Sequence, residues 1–112
     1  MALPVHWLKR PDRDATCGYK PMQLVTAARA GLTVPPTLVT NVAASVRRLT
    51  RELGEVVTKM LGAPTITEAG GRRVAFTERL TDGMLADLAG MAHTAHQFQR
   101  WAPKLCEWYF WR

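Results

Sequence analysis

The spacing of apolar residues along this chain changes several times, and each change marks an element. In "YKPMQLVTAARAGL", Met22, Val25, Ala28 and Leu32 recur at helical spacing, with Pro21 tolerated in a first turn and Gly31 placed to end the helix. That spacing predicts a helix of about three turns from Tyr19. In "VAASVRRLTREL", Val42, Val46, Leu49 and Leu53 form one stripe and Arg47, Arg48, Arg51 and Glu52 fall largely off it. Asn41 is placed to cap this second helix and Gly54 to end it. Thr81 is placed to cap a third, whose Met84, Leu85, Leu88 and Met91 share a face.

Shorter apolar runs separate these helices. "LPVHWL" and "EVVTKML" read as strands, and "TVPPTLVTN", with two prolines, as a short edge strand. "TITEA" and "RRVAFTE" flank "GG", the signature of a hairpin, and "TAHQFQRWAPK" reads as a strand entering a proline-marked bend. "KRPDRDATCG", rich in charge, Pro and Gly, reads as a connecting loop. The order is strand, helix, strand, helix, strand, hairpin, helix, strand. Alternation with a hairpin in the middle predicts an α/β (α+β) fold, with helices packed on a mixed sheet.

One residue sits awkwardly in this pattern. Lys59 lies inside "EVVTKML", where alternation puts it on one strand face with Val57 and Leu61. An ammonium among apolar neighbours must reach solvent, pair with a carboxylate or meet an anionic ligand. Periodicity alone leaves these open.

Composition adds bounds. A chain of 112 residues holds one domain with one modest core, and its 47% hydrophobic and 21% charged residues are those of a folding protein. Fifteen Lys and Arg against nine Asp and Glu give a formal charge of +6, which favours anionic partners without choosing among them. The basic residues fall in separate groups, and Arg47 to Arg51 read as a solvated helix face. No apolar stretch is long enough to span a bilayer and no signal peptide is legible, so a cytoplasmic protein without membrane partners is expected. Cys17 and Cys106 are expected as reduced thiols. With His93 and His96 they make no recognised zinc spacing, so no metal site is expected from this set.

The stretch "YKPMQLVTAARAGLTVPPTLVTN", followed by "VVTK" and then "AHQFQRWAPK", resembles the nucleotide-binding part of ATP-grasp ligases. More narrowly, it resembles the graspetide-type maturases that build ester or amide crosslinks in ribosomal peptides. The likeness runs from about Tyr19 to Glu107. It implies a partial ATP-grasp fold: an N-terminal ATP-binding lobe over residues 19–112, with residues 1–18 a residual strand and linker from a preceding region. It also implies that Lys20 and Lys59 contact ATP phosphates, that Gln99, Arg100, Trp101 and Ala102 form the adenine strand and hinge, and that Glu107 bonds the ribose. "APTITEAGGRRVAFTERL" occupies the place of the loop that closes over the phosphates, where Arg72 and Arg73 either approach the triphosphate or are ordinary solvated hairpin residues.

By the same resemblance, full-length members use ATP and magnesium to activate a carboxylate of a precursor peptide as an acyl phosphate, which a hydroxyl or amine then attacks. Their magnesium ligands lie in a second lobe, and none of those ligands is recognisable in this sequence. The expectation is therefore a truncated ligase lobe, inactive alone, that meets a complementing lobe or self-associates. Trp108, Tyr109, Phe110 and Trp111 at the end of the sequence read either as the product of a truncated or frameshifted gene or as a docking surface. The alternative is a small basic module that binds nucleic acid or an acidic partner protein.

Overall fold

The computed structural model describes residues 11–62 and 65–105. The expected strand at "LPVHWL", the thiol of Cys106, the ribose residue Glu107 and the aromatic run 108–111 lie outside the described residues. The chain divides into two units: residues 1–34 with 60–76, and residues 35–59 with 77–112.

In the first unit, helix α1 spans Pro11–Cys17, where the sequence suggested a loop. Three features correct that expectation. Proline is suited to a first helical position, Asp12 and Asp14 complement the helix dipole in the first turn, and the Thr16 hydroxyl donates to the Asp12 carbonyl at 2.9 Å. Charge density alone was a poor marker of irregular backbone. Helix α2, Lys20–Arg29, forms as expected, with Pro21 in its first turn. It ends at Gly31, whose φ of 81° places it in the left-handed region. The Gly31 N–H then donates to the Ala28 carbonyl and the Leu32 N–H to the Ala27 carbonyl, both at 3.0 Å, closing the helix end.

The hairpin also belongs to this unit. Strands β3, Thr65–Glu68, and β4, Gly71–Val74, pair antiparallel, with Glu68 opposite Gly71, as a separate two-stranded sheet. Ala69 (φ 47°) and Gly70 (φ 79°) between them are both left-handed, as the tightest hairpin turns require.

The second unit holds a four-stranded sheet in the order β1-β6-β2-β5, formed by Thr37–Thr40, His96–Arg100, Val56–Lys59 and Glu78–Arg79. Adjacent strands all run antiparallel, which leaves β1 and β2 parallel to each other on either side of β6. The proline-preceded β1 lies at an edge, as expected. Helix α3, Ala43–Leu53, presents Val46, fully buried, to Val56, Phe98 and Met91. Leu49, Leu53, Leu80, Leu85 and Leu88 pack around them. Full burial of such side chains stabilises by about 1.5–3 kcal/mol each.

Two cap expectations come out differently. The Thr81 hydroxyl accepts from the Met84 N–H at 3.3 Å, capping helix α4, Asp82–Ala86, as read. Helix α3 instead starts from Val42 without a side-chain cap. The Asn41 amide donates to the Ala92 carbonyl at 3.4 Å, and so ties β1's exit to the 3-10 turn Ala89–His93. The third helix is thus shorter than its apolar stripe, because the backbone passes from α4 into that turn, where Met91 reaches the core.

Candidate functional site

Strand alternation in the second unit divides its site residues between two sheet faces. Val56, Thr58 and Phe98 lie on the face covered by α3, whereas Val57, Lys59, Gln97 and Gln99 lie on the other. Lys59 is directly opposite Gln97 in the register, and Val57 opposite Gln99. Lys59 is half-buried, and both glutamines are buried, at 1% exposure for Gln97 and 5% for Gln99. Lys59 thus shares its sheet face with two buried carboxamides, one directly across from it and the other across from Val57.

These amides differ in one respect. The Gln99 side chain donates from Nε2 to the Thr37 hydroxyl at 3.0 Å, across to β1. Among the described residues, Gln97 Oε1 is a buried side-chain acceptor with no hydrogen-bond partner. Leaving such a group unpaired costs about 1–3 kcal/mol, and folded proteins keep few of them.

Strand β6 then leaves the sheet through the expected hinge. The Arg100 N–H donates to the Pro36 carbonyl at 3.0 Å, and the Trp101 N–H to the Glu55 carbonyl at 2.9 Å. These two donors are committed inside the fold, so any backbone reading of a base edge by this stretch falls to its other groups, the exposed Ala102 among them. Trp101 is half-buried, and the Arg79 guanidinium lies over its ring, 3.8 Å from the centroid. Arg79 Nη1 also donates to Glu55 Oε1 at 3.0 Å. Glu55, Arg79 and Trp101 thus join the ends of β2, β5 and β6.

In the first unit, Lys20 opens α2. Its backbone N–H donates to the Leu61 carbonyl at 3.0 Å, and its Nζ to the Gly62 carbonyl at 2.8 Å. The α2 start is thereby tied to the segment that follows β2. Lys20 and Lys59 belong to different units. Arg72 and Arg73 are exposed on β4. On α3, Arg47 donates twice to the Leu85 carbonyl, at 3.3 and 3.1 Å, and Arg48 pairs with Glu52 at 3.6 Å. Part of the basic helix face is thus engaged within the fold.

On the α3-covered side, Leu80, Met84, Leu88, Met91 and Phe98 line an apolar cavity of about 290 Å³, with Thr58, Asp87 and His96 as its polar members. No three His, Cys, Asp or Glu side chains among the described residues come together to hold a metal ion, and Cys17 is an exposed free thiol. No helix among the described residues is long and apolar enough to cross a membrane.

Reading the sequence did not single out Gln97, Glu55 or Arg79. The alternation in "HQFQR" does separate Gln97 and Gln99 from Phe98, but polar residues at period two ordinarily mark a solvent face. No local signal announces that this face is covered.

No protein-family model and no curated protein matches the sequence. Solved structures do. A RiPP-associated ATP-grasp ligase from Chryseobacterium gregarium, in complex with ADP and a leader and core peptide, is 30% identical with a TM-score of 0.70, covering 83% of this chain and 28% of that one. The macrocyclase MdnC from Microcystis aeruginosa MRC, bound with precursor peptide MdnA, is 29% identical with a TM-score of 0.71, over 83% of this chain and 32% of that one. The ATP-grasp ligase PsnB, complexed with a phosphomimetic variant of minimal precursor, Mg and ADP, is 30% identical with a TM-score of 0.63, over 81% and 27%.

The described fold is therefore that of part of an ATP-grasp ligase. More narrowly, in sequence as well as fold, the chain is similar to the RiPP-associated, graspetide-type ligases. It spans less than a third of their length.

Proposed function

We propose that this chain supplies an ATP-binding portion of an ATP-grasp ligase that modifies a ribosomal precursor peptide in the cytoplasm. The carrying observation is the sheet face on which Lys59 stands opposite Gln97, a residue of the strand that runs through Gln99 and Arg100 and leads into Trp101 and Ala102. On this reading Lys59 and Lys20 contact phosphate oxygens as point charges, and the strand end with Trp101 walls the base. Glu107 bonds the ribose. Residues 19–112 form the ATP-grasp portion, and residues 1–18 link it to a preceding region.

The likeness to ligases solved with ADP and precursor peptides supports this reading. Bound ATP would supply the phosphoryl group that activates a carboxylate. The residues named here bind and orient the nucleotide. As the resemblance implies, the magnesium ligands belong to a second lobe, and on this reading the chain by itself binds nucleotide without completing ligation.

The test is a calorimetric titration of the chain with ATP and GTP, each with magnesium. ATP-selective binding is expected near a dissociation constant of about 1 mM, as suits a partial site. Lys59→Ala should abolish it while leaving the circular dichroism spectrum unchanged. Equal affinity of the folded variant and the parent would remove Lys59 from the site, and absence of ATP binding by the folded parent would overturn the reading.

A further inference from the structure

Gln97 combines three observations. Its side chain is buried at 1% exposure, its Oε1 lacks a hydrogen-bond partner, and it lies directly across the sheet from Lys59. Opposed residues of antiparallel strands hold their side chains close enough to touch one ligand. Gln99, two residues along the same face, differs: its Nε2 donates to the Thr37 hydroxyl, and of the two amides only Gln97 has a buried oxygen without a partner.

A carboxamide oxygen accepts, so its missing partner is a donor. The phosphate oxygens of a nucleotide at neutral pH are acceptors and cannot fill that role. The donors a nucleotide carries are the exocyclic amine of adenine and the ribose hydroxyls, both on the nucleoside. We infer that Gln97 is a specificity-determining residue of the nucleotide site, its Oε1 accepting a hydrogen bond from the nucleoside. This rests on the nucleotide reading above and extends it to a position that the resemblance did not supply. It also accounts for an amide kept in the middle of a sheet where an apolar side chain would pack without an unpaired atom. Because Oε1 is closed off from solvent, its donor arrives either with the ligand or as a trapped water.

The experiment compares the parent chain with Gln97→Met, which preserves length and removes the acceptor, and with Gln97→Leu. Each is titrated with ATP, with inosine triphosphate, which lacks the amine, and with 2′-deoxy and 3′-deoxy ATP. The parent should prefer ATP over at least one analogue. Both variants should lose about tenfold in ATP affinity and lose that preference, because an analogue without the donor has nothing left to forfeit. The analogue whose preference disappears identifies the donor as amine or hydroxyl. Melting temperatures should stay level or rise, since removing an unpaired buried acceptor does not weaken the fold.

Unchanged ATP affinity in both folded variants would overturn the inference while leaving the nucleotide reading intact, and would assign Gln97 to a trapped water or to packing. Failure of both variants to fold would also overturn it, by showing that the amide supports the fold. No ATP binding by the parent would remove the nucleotide reading and this inference together.

Discussion

Removing the Arg79 side chain should loosen the exit of β6 by a calculable amount. Arg79 stacks 3.8 Å from the Trp101 centroid and pairs with Glu55 at 3.0 Å. The ion-pair side chains are 52% and 60% exposed, so solvent screens them and their contribution falls at the low end of about 0.2–1 kcal/mol. A guanidinium that is itself half-exposed, over the half-buried Trp101 ring, adds about 0.5–1 kcal/mol. Arg79→Ala should therefore cost about 1 kcal/mol, or roughly 4–8 °C in melting temperature for a domain of this size. The β5 ladder, made by backbone groups, should persist.

The assay is thermal denaturation followed by far-ultraviolet circular dichroism, on a cycle of Arg79→Ala, Trp101→Leu and the double variant. If the stack carries the effect, the two substitutions should be strongly non-additive. Glu55→Gln should cost less than Arg79→Ala, and its effect should fade in molar salt, where exposed pairs are screened. Equal losses from Arg79→Ala in the presence and absence of the Trp101 ring would refute the reasoning.

Two further substitutions test the fold. Phe98→Ala removes a side chain that is 2% exposed in the centre of the core, and should cost about 3–5 kcal/mol. Since small domains are stable by only about 5–15 kcal/mol, its urea midpoint should fall by about a fifth or more, and a loss under ~1 kcal/mol would contradict the packing described. Thr81→Ala removes the α4 cap and should cost about 1 kcal/mol, whereas Asn41→Ala, which removes no helix cap, should not fray α3; equal loss of helical signal in both would be inconsistent with the observed hydrogen bonds.

What the sequence disclosed, and what it hid, follows from the range of the interactions. Gly31, Gly54 and the turn before Gly71 were legible because a left-handed backbone and a two-residue hairpin are local requirements. The stripe of α3 was legible because helical periodicity reports burial directly. Helix α1 was hidden because its first-turn acids and proline also suit loops. Asn41 was misread because the rival for its amide, the Ala92 carbonyl, lies fifty-one residues away. The site shows the same division. Lys59 stood out as a cation in an apolar strand, but the partners of Gln99, Arg79 and Trp101 come from separate strands and could not be paired before the register was known. Resemblance supplied the hinge residues, and the structure then showed which of their N–H groups are already engaged.

The order of strands has a consequence for how the second unit comes into being. Strand β6 is flanked by β1 and β2, so two of the three strand contacts in the sheet wait for residues 96–100. The Gln99–Thr37 bond alone closes a span of sixty-two residues. Residues 60–76, which belong to the other unit, interrupt that span. During synthesis, β1 and α3 therefore emerge with their apolar side chains and strand edges unpaired until β6 follows. Non-local closure of this kind makes folding slow relative to helical domains of equal size. A nascent chain halted before His96 would hold the helices, the hairpin and at most the β2–β5 contact of the sheet, and would be the form most exposed to chaperones and proteases.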